Sequence, residues 1–407
     1  MNEQVSLKAA GLVGIMLASS LTIMVGCALV PALPEIGAHF QVGNYAGWLV
    51  TMPALGVVLG AVPCSRVLNK IGAYKTCAAG LILYGLLGIG GFVMPGAISE
   101  FADRFLLGIA TALVMTSSTA LISMFYQGKK QLKMLAVQGM TIELGGVVFL
   151  SIGGRLAEIS WHMPYFIYSV AFAALLLLLF FVPCITESHI GEAEHGNADA
   201  RGSEETGIRH IAPVVLLAFL GMLVFFTAIV SLPTYLQEVK GYSTTFTGHY
   251  LAMISLVAVV FAGVMPKMVE TISAKWTLAA AFACYAVAQS VLHAGSTTVS
   301  LYVAAVIMGI GFGFSTPLIN SLTVERSTAA NKARNLSFYS MCTFLGQFVS
   351  AFFSSTAGSH AFLAAAVLAA ATCIGIAVLF RQEQEKKAAA VQHGDAVSVP
   401  RHDGRSI

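Results

Sequence analysis

The sequence predicts an all-α, polytopic membrane protein of twelve transmembrane helices arranged as two six-helix bundles. Three observations predict it. Charged residues make up 10% of 407 positions and apolar residues 57%, whereas a soluble domain carries about a quarter charged residues. Apolar runs of about 20 residues, long enough to span a bilayer, recur along the chain. Lysines and arginines gather at alternate ends of those runs. The mean hydropathy of +0.81 identifies lipid as the solvent.

The spans run roughly over 9–30, 45–65, 75–95, 98–122, 133–156, 164–184, 211–235, 246–265, 276–294, 298–321, 335–357 and 360–380. Backbone amides cannot go unpaired in hydrocarbon, so segments of this length must be helices. The strands of a membrane barrel would be shorter and alternating. The first run is too long for a signal-peptide core and lacks a small-residue cleavage site, so it reads as a retained span.

One polar stretch, Thr186 to His210, interrupts the series without an apolar stripe. The expected organisation is therefore an N-terminal bundle over 1–184, a mobile cytoplasmic linker over 185–210, a C-terminal bundle over 211–381 and a disordered cytoplasmic tail over 382–407. With the N-terminus inside, all of the 22 lysines and arginines except Arg104, Arg155 and Lys240 fall on the cytoplasmic side. The positive-inside rule thus places both termini in the cytoplasm.

The seven cysteines are scattered, with no CxxC pair, and read as free buried thiols. Neither cofactor nor metal is called for. No Walker loop, nucleophile elbow or HExxH is present, which argues against an enzyme and against ATP-driven transport. Spans 3, 6, 9 and 12 are the oiliest, while spans 1, 4, 5, 10 and 11 hold most polar groups. An oily helix in every third place suggests three-helix units with polar helices facing a central cavity, as in transporters built from repeats.

The loop Ser65-Arg66-Val67-Leu68-Asn69-Lys70-Ile71-Gly72-Ala73-Tyr74-Lys75 resembles the G-x-x-x-D-R-x-G-R-R loop of the major facilitator superfamily, with Asn69 in place of the acid. A fainter echo, Pro266 to Lys275, puts Glu270 where Asn69 lies in the first half. Arg104-Phe-Leu-Leu-Gly108 is similar to the family's R-x-x-x-G motif. Gly145, Gly146, Gly153 and Gly154 resemble its antiporter motif, with the central Gly-Pro replaced by Phe149-Leu150. Within that family the sequence resembles the branch of bacterial twelve-span drug:proton antiporters and related exporters. The resemblance implies the major facilitator fold, a gating loop at Asn69, Lys70, Gly72, Lys75 and Glu270, and a proton role for Arg104.

Glu143 stands out among the residues themselves. It lies about ten residues into span 5, or near 15 Å deep. Ionising a carboxyl there costs several kcal/mol unless it is paired or hydrated, which suits a group that takes up and releases protons. A structural Glu, or one paired permanently with Arg104, is the alternative. Arg104 lies about 10 Å into span 4 and needs a carboxylate, carbonyls or a cavity. Its readings are anion recognition, tuning of a nearby carboxyl, or a fixed ion pair between spans. Asp103 is a lesser proton-coupling candidate, expected nearer the surface and solvated. Gly146 and Gly153 share a helix face and suit a close, sliding contact between the halves. Thr116, Ser315, Thr316, Asn320 and Gln347 are candidate solute contacts, with back-bonding to their own helix as the plainer reading.

The expectation is a monomeric secondary transporter of the bacterial inner membrane. Its partners are the bilayer, protons and a small organic molecule, not nucleic acid. Proton-driven efflux is the first reading. A dedicated siderophore, sugar or metabolite exporter, or an uptake symporter, is the alternative.

Overall fold

The computed structural model describes Leu7 and residues 9–184, 204–295, 297–328 and 331–395. Twelve long helices order them: α1 (Ala9–Met24), α2 (Ala46–Ile71), α3 (Ala73–Gly90), α4 (Ala97–Phe125), α5 (Gly128–Ile159), α6 (Val170–Phe181), α7 (Glu204–Thr234), α8 (Thr244–Ile272), α9 (Ala274–Ala294), α10 (Thr298–Glu325), α11 (Lys332–Ala357) and α12 (Ala361–Asp395). No strand occurs among the described residues. Among the described residues, ten helical segments are long and apolar enough to cross a membrane. The expected count of twelve rests on two further features. α1 is a shorter apolar helix of 16 residues, and the last long segment, Lys332–Val378, is broken by a tight turn at Gly358–His360.

Most helices run past their apolar cores, because backbone hydrogen bonding does not stop where hydropathy does. Two sequence boundaries are corrected for this reason. α7 begins at Glu204, so the last residues assigned to the linker are helical. α12 continues to Asp395, through most of the tail expected to be disordered. Its extension, Glu383 to Ala390, is made of Glu, Gln, Lys and Ala, all strong helix formers. The rest of the linker and the tail's end lie outside the described residues.

Packing within α1–α6 repeats within α7–α12. α1 packs on α4, α5 and α6 as α7 packs on α10, α11 and α12. Likewise α2 packs on α4 and α3 on α6, as α8 does on α10 and α9 on α12. Across the halves the long-helix contacts are chiefly α2 with α11 and α5 with α8. Helices α3, α6, α9 and α12 pack mainly inside their own half and turn large apolar side chains outward, such as Leu86, Phe180, Val287 and Val367. These make a belt suited to lipid.

The repeat extends to backbone detail. The α2–α3 turn passes through Gly72 at φ 83°, ψ 162°, and the α8–α9 turn through Ser273 at φ 80°, ψ 157°. Glycine reaches this region freely; a residue with a Cβ does not. Asn69 and Glu270 each precede their turn residue by three positions, as the sequence echo proposed.

The halves touch at the end away from these basic turns, called here the far end. Trp48 of α2 lies over Phe352 of α11, with centroids 4.0 Å apart. Gln237, in the π-turn Tyr235–Val239 after α7, donates to Pro31 O at 2.7 Å. At the basic end Asn69, Lys70, Lys75 and Glu270 are all exposed.

Candidate functional site

Arg104 sits in the first turns of α4, buried to 1% exposure. Glu100 lies one helical turn earlier on the same face, and its Oε1 is 3.1 Å from Arg104 Nε. Arg104 Nη2 also donates to Asp103 Oδ2 at 2.6 Å and to the α3 carbonyls of Leu87 (3.1 Å) and Gly88 (3.4 Å). Tyr165 donates its hydroxyl to Glu100 Oε1 at 3.0 Å. The rings of Tyr165 and Tyr168 flank the guanidinium, 5.2 and 5.4 Å from Cζ, a favourable place for a cation.

This cluster lies inside the first bundle, between α3, α4 and the 3₁₀ segment Met163–Ser169 before α6. Two expectations change. Asp103 is not solvated: it is 3% exposed and bonded to Arg104. The ion pair of Arg104 is formed within its own helix, not between spans. The reason is spacing: Glu100 lies one turn before Arg104 on the same helix face, within reach of its guanidinium. Glu100, Tyr165 and Tyr168 were not singled out from sequence, although the four-residue spacing of Glu100 and Arg104 was visible there.

Glu143 occupies a different place, near the middle of α5. It is half-buried, and no hydrogen bond or ion pair to it is found among the described residues. It is thus not paired with Arg104. Its electrostatic neighbours are Cys27, just beyond α1, and Tyr339 of α11 in the other half. Tyr339 donates to Thr316 O at 3.3 Å. With Ser315, Thr316, Thr343 and Met222 it lines a small pocket of about 10 Å³ between α7, α10 and α11.

The candidate solute contacts therefore divide. Ser315 and Thr316 line this pocket, and Ser315 Oγ is 2.7 Å from Tyr285 Oη. Gln347 is 6% exposed, with Nε2 placed 3.0 Å from where a Cβ on Gly26 would sit. Asn320 is exposed near the basic end of α10. Thr116 hydrogen-bonds Ala112 O at 2.8 Å, the back-bonded arrangement. A buried amide missed in the sequence, Gln138 of α5, donates to Ser19 Oγ of α1 (2.9 Å) and Thr119 Oγ1 of α4 (3.2 Å). It ties three polar helices together where lipid offers no alternative partner.

The α5 glycines also divide. Gly145 faces Ser20 of α1, and Gly153 the backbone of Ala28 just beyond it. Gly146 faces Ile23 of α1, with Ser255 of α8 just in range, and Gly154 meets Gly248 of α8. The close contact between halves is thus carried by Gly154 rather than by the Gly146–Gly153 pair.

At the far end a cavity of about 890 Å³ opens between the α1–α2 segment, the ends of α7 and α9, and the α11–α12 turn. Glu238, His293, Ser354 and Gln41 are among its polar lining.

Comparison with known proteins follows this geometry. The chain is 32% identical over 160 residues to an uncharacterized MFS-type transporter, YceJ, of Bacillus subtilis (strain 168), covering 37% of this chain and 39% of that one. It is 28% identical over 202 residues to Multidrug resistance protein 1 of the same organism, covering 48% and 49%. The match thus spans about half or less of the length of these curated relatives. Among solved structures, the inward-open xylose transporter XylE from E. coli superposes with a TM-score of 0.72 at 14% identity, over 90% of this chain and 94% of that one. The sequence profile described as Major Facilitator Superfamily matches residues 15–351 and again 256–402. The chain belongs to the Major Facilitator Superfamily.

Proposed function

We propose that this chain is a secondary active transporter that uses a proton gradient to export a small organic molecule across the bacterial inner membrane. The observation that carries this reading is Glu143. It is a carboxyl at mid-depth in α5, without a fixed partner among the described residues, opposite Tyr339 of the other half. A carboxyl so placed ionises at modest cost when water reaches it and at high cost when it does not.

Contacts of Trp48 with Phe352 and of Gln237 with Pro31 O join the halves at the far end, beside the cavity there, which supports reading that end as the outer gate with the basic end cytoplasmic. In this reading the cargo enters from the cytoplasm near Tyr339, Ser315 and Thr316, and a proton taken up by Glu143 from outside resets the carrier. The Asn69–Gly72 and Glu270–Ser273 turns meet when the cytoplasmic side closes.

The test is transport in inverted vesicles with a Glu143→Gln variant that inserts normally. Loss of pH-driven uptake into the vesicles, with substrate exchange retained, is the expected result; undiminished coupling would sink the assignment. A second reading, uptake by proton symport or export of one dedicated metabolite, draws on Phe149-Leu150 standing where the antiporter motif has Gly-Pro. The direction in which an imposed pH gradient moves substrate separates the two.

A further inference from the structure

We propose that a break in the first span is a cargo-binding platform, whose freed backbone carbonyls, beside Gln347 of the other half, select molecules that donate hydrogen bonds and reject carboxylates and phosphates. The proposal rests on the transport reading and deepens it by naming the chemistry of the cargo.

α1 ends at Met24 after 16 residues. That is about 24 Å, short of the roughly 30 Å of hydrocarbon, so the chain unwinds inside the membrane. Residues 25–29 form turns before the 3₁₀ segment Val30–Ala32, and all of them are buried. Non-helical backbone at such depth persists only where protein covers it or it lines a wet cavity.

The unwinding strands acceptors. The amides of Gly26 and Cys27 shift to three-residue bonds, on Ile23 O at 3.1 Å and Met24 O at 3.0 Å. The carbonyls of Thr22, Val25 and Gly26 consequently accept no hydrogen bond among the described residues. Buried carbonyls are rarely left so. Their neighbours fare differently: Leu21 O takes both the Val25 amide and the Tyr84 hydroxyl, and Ala28 O packs against Gly153 of α5.

A second observation points to a ligand. Gln347 of α11, 6% exposed, lies directly over Gly26, and its side-chain amide makes no hydrogen bond among the described residues. Unused polar groups thus meet where α1 of the first half faces α11 of the second. The remaining groups decide what fits. Nearby hydroxyls are spent: Ser20 and Thr22 donate to Leu17 O and Ser19 O, Tyr339 to Thr316 O and Thr343 to Tyr339 O. Arg104 is held among its own carboxylates. Glu143, the electrostatic neighbour of Cys27 in the break, adds another acceptor. An anion would meet carbonyls and a carboxyl with no cation to offset their repulsion. An amide, amine or hydroxyl finds acceptors on α1 and the Gln347 amide on α11. A cargo so held ties the halves together and favours their closing around it.

The experiment uses the full chain in nanodiscs and three fluorescent probes that differ at one group. Dansylglycinamide donates hydrogen bonds there, dansylglycine methyl ester does not, and dansylglycine is a carboxylate. The amide is expected to bind about tenfold more tightly than the ester, and the carboxylate most weakly. Gly26→Val, which crowds Gln347 and covers the carbonyls, and Gln347→Leu are each expected to bring the amide's affinity down to the ester's. General damage to the fold would weaken both probes alike, so the ratio is the readout. A carboxylate bound as tightly as the amide, a ratio unchanged in both variants, or no saturable binding of the amide overturns the proposal. Should Gly26→Val fail to accumulate, Gln347→Leu and the order of the three probes decide. Failure of the Glu143 reading shows separately, as undiminished pH-driven uptake by Glu143→Gln vesicles with the amide-to-ester ratio kept.

Discussion

Gly154 of α5 and Gly248 of α8 meet backbone to backbone: a Cβ built on either would lie 2.8 Å from the other's Cα. The contact joins the two halves, and Thr245 Oγ1 donates to Gly154 O beside it at 3.4 Å. Nothing but hydrogen fits between these helices. Gly154→Ala and Gly248→Ala are each expected to force the helices apart and lower the unfolding temperature. Valine at either position should abolish transport while still inserting. Thermal unfolding in detergent beside vesicle transport checks both halves of this expectation.

The strained turn at Ser273 gives a stabilising prediction. Its φ of 80° with ψ 157° is one that glycine adopts freely and serine does not. Ser273→Gly is expected to raise stability by about 1 kcal/mol, and Gly72→Ser to lower it by about 1–3 kcal/mol. Denaturant or heat scans of the two variants measure this directly.

Removal of Arg104 should be far more damaging than removal of one of its carboxyls. Arg104→Leu leaves Glu100 and Asp103 facing each other in a dry pocket. Breaking a buried pair this way costs about 3–5 kcal/mol, so the variant should be scarce in the membrane. Glu100→Gln should accumulate normally. Quantified expression and unfolding temperatures distinguish the two.

The far-end closure can be read through a native thiol. Cys27 is 9% exposed and lies near Glu143. In a protein whose other cysteines are replaced by serine or alanine, a membrane-impermeant thiol reagent added outside should scarcely label Cys27. Trp48→Ala should increase labelling several-fold by removing the ring that covers Phe352. Equal labelling of both proteins would count against Trp48 as part of the closure.

Much of the fold was legible because lipid allows so few solutions. Length, hydropathy and the placement of basic residues were enough to mark segments that all became helices. The start of α7 at Glu204 and the extension of α12 to Asp395 were not, since hydropathy marks where lipid ends and not where a helix does. In the site, Glu143 stood out because an acid amid apolar residues is visible in one dimension. The Glu100–Arg104–Tyr165 set was harder: Tyr165 comes from a distant segment and meets Glu100 only through the packing of α3, α4 and the turn before α6. Gly248 was overlooked for the same reason, as its partner Gly154 lies 94 positions away in the chain.

The ring pair Trp48–Phe352 has a thermal consequence. A latch of ion pairs would slacken as salt is added, but two aromatic rings in contact are indifferent to ionic strength. Apolar association instead weakens on cooling. The outward-open population should therefore grow in the cold and stay level across a salt series, so chilled membranes, not concentrated buffers, are where that state can be trapped.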